Sequence, residues 1–249
     1  MTLSTEPEHN TRGTPDDPGA RGSGDEGHPT SDGSSVTDNN TVRNVAIGLA
    51  MVAVVLAGLA FLATRADTSA PDWRGRVLPE AEPIPDLTLA DTNGEDFNLI
   101  SDTPGDVTLL MFGYTNCPDV CPISLGTLNA ALEDLGPDVA NRVDMVFVTA
   151  DPQRDTPVRL REYLDGYNAD FVGLRGTEEQ TVDAQDLANV PRAQLEEPDD
   201  DGEYAVGHAT QIIAYQSDGQ ARIVYPFGTR AEDWKLDLPR LLDGEHPSQ

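Results

Sequence analysis

The sequence predicts an α/β domain, a central mixed sheet flanked by helices, carried behind one apolar helix near the N-terminus. Three observations predict it. Residues 45–63 read VAIGLAMVAVVLAGLAFLA, without a charged side chain. Two mainly apolar runs of strand length, Val107–Gly113 and Val143–Thr149, alternate with helical patterns, as buried strands of a parallel sheet do. Ser217, Asp218 and Gly219 lie between two further β-rich runs, the signature of an antiparallel hairpin.

Residues 1–44 abound in Gly, Pro, Ser, Thr, Asp, Glu and Asn and have almost no large apolar side chains. Such a tail cannot bury enough surface to offset the entropy of ordering, so disorder is expected. His9 and His28 fall in it without neighbouring ligands and read as inert. At roughly 1.5 Å per residue, the run 45–63 is about 28 Å long, close to the thickness of a bilayer's hydrocarbon core. It is expected to be a transmembrane anchor. A cleaved signal would carry a short basic stretch before its apolar core, not a long acidic tail. Arg43 stands on one side of the run against Arg65, Arg74 and Arg76 on the other, a count that taken literally keeps the large domain in the cytoplasm. Residues 64–83, with Pro71, Pro79 and Pro83, read as an extended linker.

The globular part is expected over 84–243, before a polar tail at 244–249 that holds His246. Strands at 87–90 and 97–99 flank a tight turn at Asn93-Gly94. After the strand Val107–Gly113, Leu125, Leu128, Leu132 and Leu135 space a helix over 122–135. Val143–Thr149 is the second buried strand. A helix over 157–168 opens with Thr156 as cap and Pro157 in its first turn. A strand at 171–174, a helix at 178–189, strands at 212–215 and 222–225 and a closing helix at 230–242 complete the chain. The order is βαβα followed by ββα, the thioredoxin-like arrangement, whose reactive cysteines sit where the first core strand gives way to a helix.

Acidic residues number 44 and basic residues 16, for a formal net charge of -28. That balance repels phosphate and excludes nucleic-acid binding through bulk charge. Lys235 is the sole lysine. The acidity reads as a solvated surface that also raises the local concentration of metal cations.

The chain has two cysteines, Cys117 and Cys121, in the segment FGYTNCPDVCP. Four residues is about one helical turn, so both sulfurs can point to one side, and a helix N-terminus there favours thiolate. Three readings stand: a structural disulfide, a thiol–disulfide reductase pair, and a soft-metal site. A disulfide over so short a loop contributes little. Thioredoxin-type reductases normally have two residues between their cysteines, and here there are three. A metal site needs a third ligand. His208, in YAVGHAT just before the hairpin strand, is the candidate, because that strand starts beside the cysteine helix. Two sulfurs and one imidazole suit Cu(I), which tolerates low coordination, better than zinc.

These residues resemble the Sco/SenC family of copper chaperones. The resemblance covers roughly residues 84–242 and rests on FGYTNCPDVCP at 112–122, DPQRDTP at 151–157, FVGLRG at 171–176, YAVGHAT at 204–210 and SDG at 217–219. It implies one copper ion, Cu(I) or Cu(II), on Cys117, Cys121 and His208. It also implies delivery to the dinuclear copper centre of cytochrome c oxidase, with oxidase subunit II or another copper chaperone as partner. A single-pass anchor with the domain on the extracytoplasmic side follows from it, against the arginine count. The chain would then be a metallochaperone rather than an enzyme, with reduction of the oxidase cysteines as the alternative. A peroxidase of related fold is a weaker reading, carried by Thr115 alone. One departure is Gly207, where many relatives carry an acidic residue before the histidine. Asp151, Arg154 and Asp155 are expected to order the loop after the second core strand, with Asp151 and Asp119 close enough to be near the metal. The acidic stretch 194–203 reads as a solvated loop or as a contact for a basic partner.

Overall fold

The computed structural model describes residues 39–64 and 72–247, and the chain divides into a unit ending at Thr68 and a unit Ser69–Gln249. In the first unit, helix α1 runs Asn39–Thr64 and takes in the whole apolar run. The tail expected over 1–44 therefore gives way to helix at Asn39; residues 1–38, with His9 and His28, lie outside the described residues. Among the described residues no helix is long and apolar enough to cross a membrane.

In the second unit, β1 (Arg76–Pro83) corrects the linker expected over 64–83. It pairs antiparallel along β10 (Gln220–Tyr225) and is interrupted by an irregularity between Val77 and Glu82. Prolines misled the reading. An edge strand leaves one row of N–H groups unpaired, so Pro79 and Pro83 are tolerated there. Asp237, fully buried, fastens the approach to this strand by accepting hydrogen bonds from the Arg74 and Gly75 amides and from the Tyr225 hydroxyl.

The remaining elements follow the expected order. A hairpin of β2 (Thr88–Asp91) and β3 (Asp96–Asn98) turns on Gly94 at φ +85°. Then come β4 (Val107–Gly113), α2 (Val120–Leu135), the short α3 (Pro137–Ala140), β5 (Val143–Thr149), α4 (Pro157–Asp165), β6 (Val172–Arg175) and α5 (Glu178–Leu187). Thr156 caps α4 as expected, its hydroxyl accepting from the Arg159 amide. A small two-stranded hairpin, β7 (Gln194–Leu195) with β8 (Val206–Gly207), was not foreseen. The hairpin β9 (Ile212–Gln216) with β10 and the helix α6 (Ala231–Leu242) close the domain.

The eight-stranded sheet has the order β1-β10-β9-β4-β5-β6-β2-β3, parallel at β4–β5 and β5–β6 and antiparallel elsewhere. Alternation along the central strands supplies two cores. Leu109, Met111, Met145 and Phe147 face Leu125, Leu128 and Trp234 of α2 and α6. Leu110, Phe112, Val146 and Val148 face the other way, with Ala184 of α5 and Ala188 just after it. Each fully buried side chain of this size stabilises the fold by about 1.5–3 kcal/mol.

Candidate metal centre

Register sets the site. Met111, near the end of β4, pairs with Ile212 at the start of β9. The chain entering β9 therefore arrives at the carboxyl end of β4, where the cysteine segment leaves it. His208 lies just before that point and Cys117 just after it.

Between β4 and α2 the chain makes a turn closed by the Cys117 amide on the Tyr114 carbonyl. Thr115 fixes this turn to the loop after β5: its amide and hydroxyl both donate to the buried Asp155 carboxylate, at 3.1 and 2.5 Å. Asp155 also accepts from the Thr149 hydroxyl at 2.6 Å. Arg159 donates to the Thr115 hydroxyl at 2.8 Å and to the Asn116 side chain. Asp155 thus orders more than its own loop, because it holds the cysteine turn. Gly113 is required by close approach: a Cβ there would lie 2.5 Å from Cys121 Sγ and 2.7 Å from the Phe147 ring.

Cys117 Sγ accepts the Cys121 amide at 3.5 Å, so a sulfur takes one of the free N–H groups at the start of α2. Cys117 is nearly buried and Cys121 fully so, and both are free thiols. His208 Nε2 stands 3.7 Å from each sulfur. Its Nδ1 lies 2.7 Å from the Ala209 carbonyl. A carbonyl only accepts, so Nδ1 carries a proton and Nε2 is the nitrogen left to face the sulfurs, able to bind a metal when it is unprotonated. The Tyr114 ring meets the imidazole edge-on at 5.5 Å, and the Tyr114 hydroxyl accepts from the Val206 amide.

The electrostatics are asymmetric. The Cys121 thiol donating to Cys117, helped by His208 and the helix amides, outweighs burial and holds Cys117 well below the usual thiol range. The same hydrogen bond, together with burial, pushes Cys121 up. Burial disfavours the His208 imidazolium, yet its hydrogen bond to Cys117 leaves the ring's pKa above the ordinary histidine value. The two sulfurs are thus unequal, with Cys117 the one that favours thiolate.

The ligand atoms of Cys117, Cys121 and His208 all lie within 4.8 Å of one another, and among the described residues no other His, Cys, Asp or Glu joins them. Soft sulfur plus imidazole is the donor set of Cu(I) or Zn, and a count of three favours copper. Asp119, with Pro118, Gly207 and Thr210, lines the shallow cleft of about 260 Å³ over the cysteine and histidine. Asp151 is turned away: its carboxylate accepts from Arg154 at 2.5 Å and from the Tyr204 hydroxyl at 3.0 Å. Arg154 stacks on the Tyr204 ring at 3.6 Å. Tyr114 and Tyr204 were not singled out from the sequence, although both stand inside the motifs that were. His246, in the polar tail, meets the Gln216 side chain at 3.1 Å.

A family model described as SCO1/SenC matches residues 78–243. The SCO2-like protein of Rickettsia conorii is 39% identical over 138 residues, covering 54% of this chain and 65% of that protein, which is less than two thirds of its length. The apo Sco1 structure from Thermus thermophilus is 31% identical, with a TM-score of 0.62 over 70% of this chain and 99% of that one. Bradyrhizobium japonicum ScoI, solved with copper bound, is 32% identical, with a TM-score of 0.57 over 65% and 99% of the two chains. The chain belongs to the SCO1/SenC family.

Proposed function

We propose that this protein is a copper chaperone that takes one copper ion on Cys117, Cys121 and His208 and passes it to the dinuclear copper centre of cytochrome c oxidase. The observation that carries the reading is the convergence of two sulfurs and one imidazole nitrogen within 4.8 Å, with the imidazole's far nitrogen already committed to a carbonyl. The lowered Cys117 pKa favours its thiolate before any ion arrives, and copper binding displaces the proton of Cys121. The copper-bound relative supports the choice of metal.

The anchor belongs to the same proposal. Val45, Leu49, Val52, Val54 and Leu56 of α1 are all exposed, and such an apolar surface on a helix suits a lipid environment. With α1 in the membrane and the copper domain outside, protease added to intact spheroplasts digests residues 66–249. Full protection of the domain reverses the orientation. For the metal, the full-length chain in detergent, reduced and loaded, holds about one copper per chain. Undiminished binding in a Cys117→Ala, Cys121→Ala double variant sinks the assignment.

A second reading rests on the unequal thiols. Cys117, the lower in pKa, can attack a partner disulfide, and Cys121 can then displace the partner thiol. The two electrons go to the partner, and the Cys117–Cys121 disulfide remains. His208→Ala separates the readings: exchange with a model disulfide survives, while oxidase copper loading under limiting copper is lost. Normal oxidase assembly in such cells would make the reductase the first choice.

A further inference from the structure

The strand that carries His208 is gripped at its far end by a charged clamp. Exposure alternates along it: Tyr204 and His208 are half-buried and Val206 is buried, while Ala205 and Gly207 are exposed. Side chains two residues apart on an extended chain share a face, so Tyr204, Val206 and His208 all turn toward the body of the domain. Among the described residues the only strand paired with this segment is β7, and both residues of β7 are exposed. The segment's hold on the domain is therefore made by what Tyr204, Val206 and His208 touch.

Arg154 meets that face at Tyr204. Its guanidinium carbon lies 3.6 Å from the centre of the Tyr204 ring and 5.7 Å from the centre of the Tyr114 ring. One cation thus faces an aromatic ring from each half of the metal centre, Tyr204 on the histidine strand and Tyr114 on the cysteine turn. Asp151 closes the clamp, accepting from Arg154 Nε at 2.5 Å and from the Tyr204 hydroxyl at 3.0 Å, and Glu203 pairs with Arg154 at 3.4 Å. The Arg154 side chain is 17% exposed and that of Asp151 1%, so water screens neither charge well and both attractions are strengthened. The loop beneath is itself fastened: Arg175, at the end of β6, donates to the Pro152 and Asp155 carbonyls at 2.8 and 2.9 Å. Tyr114 in turn meets the His208 ring edge-on, and its hydroxyl accepts the Val206 amide.

We propose that Arg154 is a positioning residue of the metal centre: stacked on Tyr204 and facing Tyr114, it fixes the histidine strand against the cysteine turn and so sets how far His208 Nε2 stands from the two sulfurs. This role rests on the copper reading of the site and gives Arg154 no contact with the ion. Tyr204 and His208 are four residues apart, about 13 Å of extended chain, so a shift at the clamped end is carried along the strand to the imidazole. The guanidinium suits the task because one flat group can stack on a ring through its face while it pairs with a carboxylate through its edge, which an ammonium cannot do.

The test uses the full-length chain in detergent, with Cu(I) in competition with a chelator as one probe and NMR of the histidine rings in the metal-free protein as the other. Arg154→Met, which keeps the stem and removes the guanidinium, should weaken Cu(I) binding about ten-fold. In a His208→Ala background the same substitution should cost less than about two-fold, because Arg154 acts through the imidazole. Arg154→Lys, which keeps the charge and loses the flat stack, should recover only part of the loss. In metal-free Arg154→Met the His208 ring resonances, assigned by their absence from His208→Ala, should move toward free-histidine positions as the ring leaves the edge of Tyr114. Tyr204→Leu leaves the Arg154–Asp151 pair in place and should repeat these results, so the test survives if Arg154→Met fails to fold around an unpaired Asp151. An equal loss of Cu(I) affinity with and without His208, or an unmoved His208 resonance, would overturn the proposal and leave Arg154 a support of the fold alone. A parent chain that held no copper would sink the copper reading instead, and the metal-free resonances would still decide the positioning role.

Discussion

The two halves of the candidate metal centre are held by different means. On the sulfur side, the turn at Thr115 hangs from a buried carboxylate, Gly113 accepts the Ala150 amide at 2.6 Å, and Cys121 sits fully buried in the first turn of a 16-residue helix. On the imidazole side, His208 follows a two-residue strand at the foot of an exposed acidic hairpin. One hydrogen bond to a neighbouring carbonyl and the edge of Tyr114 orient its ring. Regions with few buried contacts open at lower free energy than those rooted in a core. The difference teaches that the sulfurs form a fixed cradle while the histidine is the ligand set by few contacts. Under the chaperone reading, the imidazole leaves first when copper is handed on.

That contrast breaks most easily at the ligands. Cys121→Ala should abolish tight Cu(I) binding, because one sulfur and one imidazole under-coordinate so soft an ion. His208→Ala should weaken binding markedly and leave thermal stability within about 1 kcal/mol of the parent, since few contacts depend on the ring. Competition with a Cu(I) chelator and thermal unfolding of both variants check the pair. Equal losses in the two would show that the halves act as one rigid unit.

Next in size is a steric test. Gly113→Ala drives a methyl group against Cys121 Sγ and Phe147, where neither neighbour can retreat from the core. Overpacking of this kind costs about 1–3 kcal/mol. The midpoint of denaturant unfolding should fall and copper affinity should fall with it.

The pH dependence is smaller and has a definite sign. Protonated Nε2 cannot bind a metal, and the His208 pKa lies above the ordinary value. Copper affinity should therefore decline as pH falls through that raised value, with the step missing in His208→Ala. In the apo protein the sign reverses. The contribution of the paired imidazolium is fully present below the unfolded histidine pKa of about 6.5 and is lost as pH rises through the folded one. Chelator competition and melting curves between about pH 6 and 8.5 measure both. An identical copper-affinity profile in His208→Ala would place the titration elsewhere.

What the sequence made legible follows the range of the interactions concerned. The buried strands β4 and β5 were readable because apolar runs of that length have few other uses, and β5 kept both its expected ends. The Cys117–Cys121–His208 group was readable as a candidate because two cysteines a turn apart carry their chemistry locally, and His208 because it stands just before a strand. β1 was hidden by prolines that an edge strand tolerates. The β7–β8 hairpin was hidden by its acidity, for Leu195 and Val206 supply almost all its apolar character. The hold of Asp155 on Thr115 spans 40 residues and leaves no periodic trace.

The smallest expected effect concerns Gly207. A Cβ there would meet the Gln194 carbonyl at 3.7 Å, an ordinary contact, and the backbone is not held at positive φ. Gly207→Asp, which places a carboxylate next to the histidine, should therefore change stability by no more than about 0.5 kcal/mol. Its carboxylate would sit at the cleft over Cys117 and His208, exposed to solvent and well screened. A nearby negative charge favours imidazolium, so the His208 pKa should rise slightly further. Copper affinity below that value should fall by a factor of about two to three, while the affinity above it stays level or improves. The same substitution at Gly113 could not be made without displacing a sulfur. If Gly207→Asp instead lowered stability as much as Gly113→Ala, the histidine side would be as tightly built as the cysteine side, and the fixed-cradle reading would fall.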